Sequence, residues 1–250
     1  HTADGGISWR RQFDGTQGAA LQQWYADWDG EGGDEYAQQI ERNFGNGPWL
    51  PMLDVHFSSP QQGLALGSFG MLLASSDGGA SWQPALHGID NPEYLHLNAI
   101  ERSGTVRLIA SERGTVFRAE DDGRFEAVAT GHNGTFFSLA SNGATVLAGG
   151  LRGVVYRSTD AGLSWAPVST GLTQTVSAIS YSPQQGQFAL VSIGGEAVIA
   201  DGAAEQFRQL ATGKPGIYTG VLGVPGGLLI SGIQGLLGTA TQDKATGEAP

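Results

Sequence analysis

The 250-residue chain has no cysteine, and its only lysines are Lys214 and Lys244. Without cysteine there is no disulfide framework, no thiolate zinc site and no cysteine nucleophile. Only 13 basic residues stand against 24 acidic ones, a net charge of −11. That balance argues against nucleic acid or an anionic membrane surface as the main partner and favours a neutral or basic one. No apolar run approaches the roughly 18 residues that span a bilayer, so the chain is not expected to be transmembrane itself. No charged-then-apolar leader opens it. It starts at His1, not Met, which leaves an export signal upstream as an open reading.

Glycine, by contrast, is abundant: 40 residues, which points to many tight turns. One phrase recurs, as "TADGGISW" (2–9), "SSDGGASW" (75–82) and "STDAGLSW" (158–165). A motif copied along a chain marks a structural unit copied along it, whereas a catalytic motif normally occurs once. The unit extends upstream, because "GMLLASSDGGASW", "GTVFRAEDDGRFE" and "GVVYRSTDAGLSW" start at Gly70, Gly114 and Gly153, with the aspartate seven residues on. Weaker copies start at Gly195 and Gly235, and successive glycines lie 44, 39, 42 and 40 residues apart. Two more strand-like runs precede each copy. Four short strands in about 40 residues, separated by Gly-rich turns, are the signature of a β-propeller blade.

The expectation is therefore an all-β chain of four-stranded antiparallel blades, with strands A to D counted from the inside outward. As one propeller domain over 1–250, it divides into the end of a blade (strands C/D) at 1–15, a helical insertion at 16–51, and blades at 52–86, 97–130, 136–170, 176–210 and 218–243. The insertion explains why Asp4 and Asp77 are 73 residues apart. Leu21, Trp24, Tyr25 and Trp28 fall at i, i+3, i+4 and i+7, and Tyr36, Ile40 and Phe44 at i, i+4 and i+8, predicting two short amphipathic helices. Asp34 is the expected N-cap of the second and Gly45 its stop. Between them Asp27, Asp29, Glu31 and Gly32 match the start of a calcium loop, but Gln38 stands where a bidentate carboxylate is needed.

The repeated phrase sits at the C–D hairpin. Its physics is local: Asp4, Asp77 or Asp160 can accept backbone N–H bonds within the turn, and Gly6, Gly79 or Gly162 can adopt positive φ. Trp9, Trp82 or Trp165 can then pack between blades. Asp121 and Gly123 keep a further copy recognisable, although Glu126 replaces its tryptophan. The phrase resembles the Asp-box or BNR repeat. Together with the insertion after "SWRRQF" and the stretches "DNPEYLHLNAI" (90–100), "GTFFSLAS" (134–141) and "GLRGVVYRSTDAGLSW" (150–165), it makes nearly the whole chain resemble photosystem II stability/assembly factor-like proteins, of the non-photosynthetic bacterial branch. The resemblance implies a seven-bladed propeller exported to the periplasm, where the photosynthetic branch helps assemble a membrane protein complex. About five units are visible here. Either "ISWRRQF" completes the last blade of a five-bladed ring or about two blades lie upstream; the resemblance favours the second.

Strand order places the D–A and B–C connections on one face and the Asp boxes on the other. Arg113 ("SERG") and Arg152 ("GLRG") then occupy equivalent B–C turns, near loops holding Asn91, Tyr94, His96 and Phe136, while Arg118 and Arg157 recur in register behind them. Arginine and aromatics on one face suit a peptide or carboxylate; the alternative is that these arginines pair with the abundant acids. In relatives, the resemblance implies, such a face binds a partner. The expected partner is a protein or peptide, such as a membrane-complex subunit, and the expected role is non-catalytic. No cofactor, metal or catalytic residue is assigned: His87, His96 and His132 lack zinc-ligand spacing, and no phosphate loop is present. The competing reading is a glycan-binding or sialidase-like glycoside hydrolase propeller, for which no arginine triad or Tyr-Glu pair can be fixed.

Overall fold

The computed structural model describes residues 1–240 except 46, 48, 49, 122, 214 and 215. After two helices, α1 (Gly18–Ala26) and α2 (Gly33–Phe44), the described chain is built of strands. The first sheet contains β1 (Met52–Phe57), β2 (Gly63–Gly67), β3 (Leu72–Ser75) and β4 (Gln83–Pro84). The second contains β5 (Leu97–Ser103), β6 (Val106–Ser111), β7 (Thr115–Glu120) and β8 (Glu126–Ala129). β9 (Phe136–Ser141), β10 (Val146–Gly150), β11 (Val155–Ser158) and β12 (Ala166–Val168) form the third, and β13 (Val176–Ser182), β14 (Gln187–Ser192), β15 (Ala197–Asp201) and β16 (Phe207–Gln209) the fourth. A three-stranded sheet of β17 (Tyr218–Val224), β18 (Gly227–Gly232) and β19 (Gly235–Ala240) follows. Every sheet keeps its strands in chain order, and the pairings are antiparallel. This is the propeller-blade meander that the glycine spacing predicts.

The chain forms two compact units, residues 1–100 with 122–127, and residues 101–121 with 128–250. In the first, the helical insertion packs on the β1–β4 sheet. Leu21, Tyr25 and Ile40 meet Ala65, Met71 and Leu73 in one buried cluster, each large side chain adding about 1.5–3 kcal/mol of apolar burial. The Tyr25 hydroxyl accepts the His87 backbone N–H at 3.2 Å and lies 3.0 Å from His87 Nδ1, fastening α1 beyond β4. Asp34 is not the N-cap. Gly32 is, at φ 86°, and the helix begins at Gly33, which passes so close to the Tyr25 and Trp28 carbonyls that a Cβ would lie 3.0 and 3.3 Å from them. Asp34 falls in the first turn, where its charge still suits the helix dipole. Trp28 lies beyond the last residue of α1.

In the second unit, sheets stack face to face. Along β14, Phe188 and Leu190 enter a cluster with Leu147, Val155 and Val176 on one side, while Ala189 and Val191 join Tyr218, Leu228 and Ile230 on the other. Alternate residues point to opposite faces and both faces are buried, so the strand reads as the unbroken apolar run "FALV". Close approach needs small residues: a Cβ on Gly149 would lie 2.7 Å from Val176 Cγ1.

Candidate functional site: the two ends of the sheets

The C–D hairpins carry the Asp boxes. In the second of them Asp77 Oδ1 accepts the Ser81 backbone N–H at 2.9 Å and the Ser75 hydroxyl at 2.9 Å, and its Oδ2 accepts the Ser81 hydroxyl at 2.6 Å. The Ser75 oxygen in turn accepts the N–H of Gly79 at 2.8 Å, possible because Gly79 turns the backbone to φ 81°. The same four bonds hold Asp4 to Ser8 and Thr2 and Asp160 to Ser164 and Ser158. Each carboxylate thus accepts three hydrogen bonds from its own turn. Trp165 Nε1–H donates to the Gly162 carbonyl at 3.2 Å, and Trp82 packs edge-on to Phe57 with ring centroids 5.9 Å apart. Trp9 also bonds back to its turn, at Gly6, yet it is 74% exposed, so it does not pack between sheets. The copy at Asp121 has Ala119 and Phe125 where the complete boxes have hydroxyl residues, and Asp121 itself takes φ 47°.

Hydrogen bonds from Ser81, then Ser75, lower the Asp77 carboxyl to about 2. Asp4 is lowered by Ser8 and Thr2. At Asp160 burial pushes upward, but the bonds from Ser164 and Ser158 outweigh it and the net shift is down. A folded-state pKa below the unfolded value of 3.8 means stability that is complete above about pH 4 and lost as pH falls toward about 2. Urea unfolding at pH 5, 4, 3 and 2 is expected to show a monotonic loss across that window. Asp77→Asn removes part of the pH dependence, since it removes the titrating group.

The opposite end is made by B–C turns pressed against the D–A loop that follows. Gly70, Gly114, Gly153 and Gly195 all have positive φ. A Cβ on Gly114 would lie 1.9 Å from the His132 carbonyl oxygen, and one on Gly153 2.1 Å from that of Leu172. The residue before each of the first three glycines is also left-handed: Phe69 at φ 55°, Arg113 at 55° and Arg152 at 58°. Non-glycine residues there cost about 1 kcal/mol or more and concentrate at working surfaces. Arg113 and Arg152 are exposed and lie at equivalent turns of the second and third sheets. A cavity of about 530 Å³ lined by Gly131–Gly134, Leu151, Arg152 and Val154 flanks Arg152 on one side; one of about 370 Å³, reaching Tyr156 and Thr173, flanks it on the other. His132 lines both. Its ring packs on Phe136 and Tyr156 at 5.4 and 5.5 Å, and burial lowers its pKa.

The remaining sequence candidates divide. Arg118 and Arg157 point toward the Asp-box end. Arg118 Nε–H donates to the Ala161 carbonyl at 2.9 Å and its Nη2 meets Glu120 at 2.8 Å, while Arg157 Nη2 meets Glu205 at 3.4 Å. Both tie one sheet to the hairpin of the next. Phe136 is fully buried and cannot face a partner; Phe137, 37% exposed, is the outward ring. Asn91, Tyr94 and His96 belong to the first unit. The Asn91 amide clamps Leu95, donating to its carbonyl at 3.0 Å and accepting its N–H at 2.9 Å. Tyr94 donates to Glu35 at 3.3 Å, and the His96 ring lies 4.7 Å from Phe69.

The sequence description of the photosynthesis system II assembly factor YCF48 matches residues 46–201, more than half of the chain, a stretch that holds Asp77, Asp160 and both arginine tips. The chain belongs to that family. Photosystem II assembly lipoprotein Ycf48 from Synechococcus sp. (strain CC9902) is 28% identical over 119 residues, 45% of this chain and 35% of that protein. The chain therefore matches about a third of that relative's length. Among solved structures, YCF48 from Cyanidioschyzon merolae superposes with a TM-score of 0.59 at 15% identity, over 78% of this chain and 68% of that one. The WD40 β-propeller domain of Doa1 gives 0.61 at 11% identity, over 77% and 66%. At such identities the likeness is one of fold: a β-propeller.

Sequence reading missed three features of this YCF48-family chain. Phe69 occupies the turn position of Arg113 and Arg152, a match visible once Gly70, Gly114 and Gly153 are aligned. His132 stood out only as a lone histidine. Glu196 was passed over entirely, although its carboxylate gathers the Ser192 hydroxyl at 2.7 Å, the Thr173 hydroxyl at 2.8 Å and the backbone N–H groups of Thr173 and Gln174. Burial raises its pKa, but these bonds outweigh that and lower it. Only Ser192 is a local partner of Glu196; the others, Thr173 and Gln174, come from the loop that follows the third sheet, so no local pattern announces the cluster.

Proposed function

We propose that this chain is a non-catalytic, exported binding scaffold that holds a polypeptide at the arginine-bearing ends of its sheets while a membrane or envelope protein complex is assembled or maintained. One observation carries the reading: Arg113 and Arg152, both exposed, are held in the same left-handed geometry at equivalent turns, and cavities flank Arg152. Two guanidiniums on a chain of net charge −11 form a local attraction for a carboxylate or peptide carbonyls. Family membership supports an assembly role. The lipoprotein name of the Synechococcus relative supports export, and no helix among the described residues is long and apolar enough to cross a membrane.

The test replaces both tips, Arg113→Ala with Arg152→Ala, and measures recovery of envelope proteins with the tagged chain by quantitative mass spectrometry. Each lost charge-assisted hydrogen bond is worth about 1.5–3 kcal/mol, so recovery of specific partners is expected to fall at least about tenfold with the fold intact. Unchanged recovery removes the proposed site. Turnover of a fluorogenic glycoside by the wild-type chain would overturn the non-catalytic reading.

A further inference from the structure

A second recognition site, separate from the arginine tips, lies wholly within the first unit. A cavity of about 130 Å³ opens between α2, which contributes Glu35 and Tyr36, the turn at Gly70, and the loop carrying Asp90 and Tyr94, with Arg124 at one wall. We propose that this cavity receives a single arginine side chain presented by a partner protein.

Size is the first argument. Pockets for metabolites and cofactors run to about 300–1,000 Å³, whereas this one admits one side-chain head. Charge is the second. Glu35 is exposed, and its carboxylate accepts the Tyr94 hydroxyl at 3.3 Å; among the described residues it forms no ion pair. The other carboxylate of the wall, Asp90, already shows what the surface accepts: Arg124 Nη2 stands 3.5 Å from Asp90 Oδ1 and donates to the Ile89 carbonyl at 3.3 Å. The chain thus lodges one guanidinium of its own at the Asp90 end and leaves Glu35 for another.

Shape is the third. Tyr36 and Tyr94 line the cavity beside Glu35, and a planar guanidinium can pack on an aromatic ring while offering two N–H groups to a carboxylate, which an ammonium cannot do. Tyr94 stays a donor at any physiological pH, since burial and then Glu35 push its pKa up to about 12. The site is also set in advance: the Asn91 clamp on Leu95 closes the loop, and Gly70 leaves room that a Cβ would take, at 3.1 Å from both Asn91 Nδ2 and Tyr94 Cα. A chain of net charge −11 is an apt receptor for a basic partner.

The experiment titrates Nα-acetyl-arginine methylamide into the ¹⁵N-labelled chain and follows the amides of Gly70, Asn91 and Tyr94. Saturable shifts at all three are expected. The uncharged citrulline analogue, the lysine analogue and the Glu35→Gln chain are each expected to bind at least about tenfold more weakly. Absence of saturable shifts with the wild-type chain, or equal binding by citrulline, lysine or Glu35→Gln, overturns the proposal. The Arg113→Ala/Arg152→Ala chain is expected to bind the probe unchanged, so this site and the arginine tips stand or fall separately; loss of probe binding in that variant would also overturn it.

Discussion

Phe136→Ala is expected to destabilise the chain by about 3–5 kcal/mol, a drop of roughly 10 °C in the melting temperature. The ring is fully buried at the head of β9, packed at a tilt against His132 at 5.4 Å and edge-on to Tyr156 at 5.7 Å. Removing it leaves a void that a strand start pinned by its ladder cannot collapse to fill. Phe136→Leu, which keeps most of the volume, should cost about 1.5 kcal/mol or less. Differential scanning calorimetry of the two variants decides the point. A melting temperature unchanged by the alanine substitution would mean that the ring faces solvent and was rightly suspected as a partner contact.

Gly153→Ala should be comparably severe, at about 3–5 kcal/mol, for a different reason. The backbone there is at φ 74°, where a Cβ costs about 1 kcal/mol, and the added atom would stand 2.1 Å from the Leu172 carbonyl oxygen and 2.5 Å from its carbon. Those are backbone atoms of the neighbouring loop and cannot swing aside. Gly131→Ala separates the two contributions: it has φ 83° and nothing within 4 Å of the added Cβ, so only the conformational cost of about 1 kcal/mol applies. Equal losses at the two positions would show that the B–C turn does not press on the following loop.

These residues also show what could be read in advance. Repeats were legible because each sheet rebuilds the same hairpins, and a glycine forced to positive φ by a close backbone neighbour has no substitute; hence the spacing of Gly70, Gly114, Gly153 and Gly195. The Asp boxes were legible because every bond in them is made within seven residues. Phe136 was misread because alternation in "TFFSL" fixes that one ring is inward without saying which. A register shift beside Gly149 and Gly150 decides it, and the same shift follows Met52, Val176 and Tyr218 at the heads of β1, β13 and β17. Aligning Phe136 with the buried Val176 and Tyr218 would have placed it correctly. Arg113 and Arg152 stand just before the turn glycines Gly114 and Gly153, and Arg118 and Arg157 four residues after them; that spacing does not say which pair is neutralised, and only the fold brings Ala161 and Glu205 to Arg118 and Arg157. The Glu35 cavity was equally hidden, because it joins an inserted helix to a loop more than fifty residues away.

The central claim is that the repeated aspartates fasten their own turns, each carboxylate held by hydroxyl and backbone N–H donors of the same hairpin. Titration of the Asp77 side-chain carboxyl carbon by NMR tests this most directly. Held by Ser81 and Ser75, it is predicted to titrate near 2; a midpoint at or above the unperturbed 3.8 would show a carboxylate free of its turn and would contradict the account.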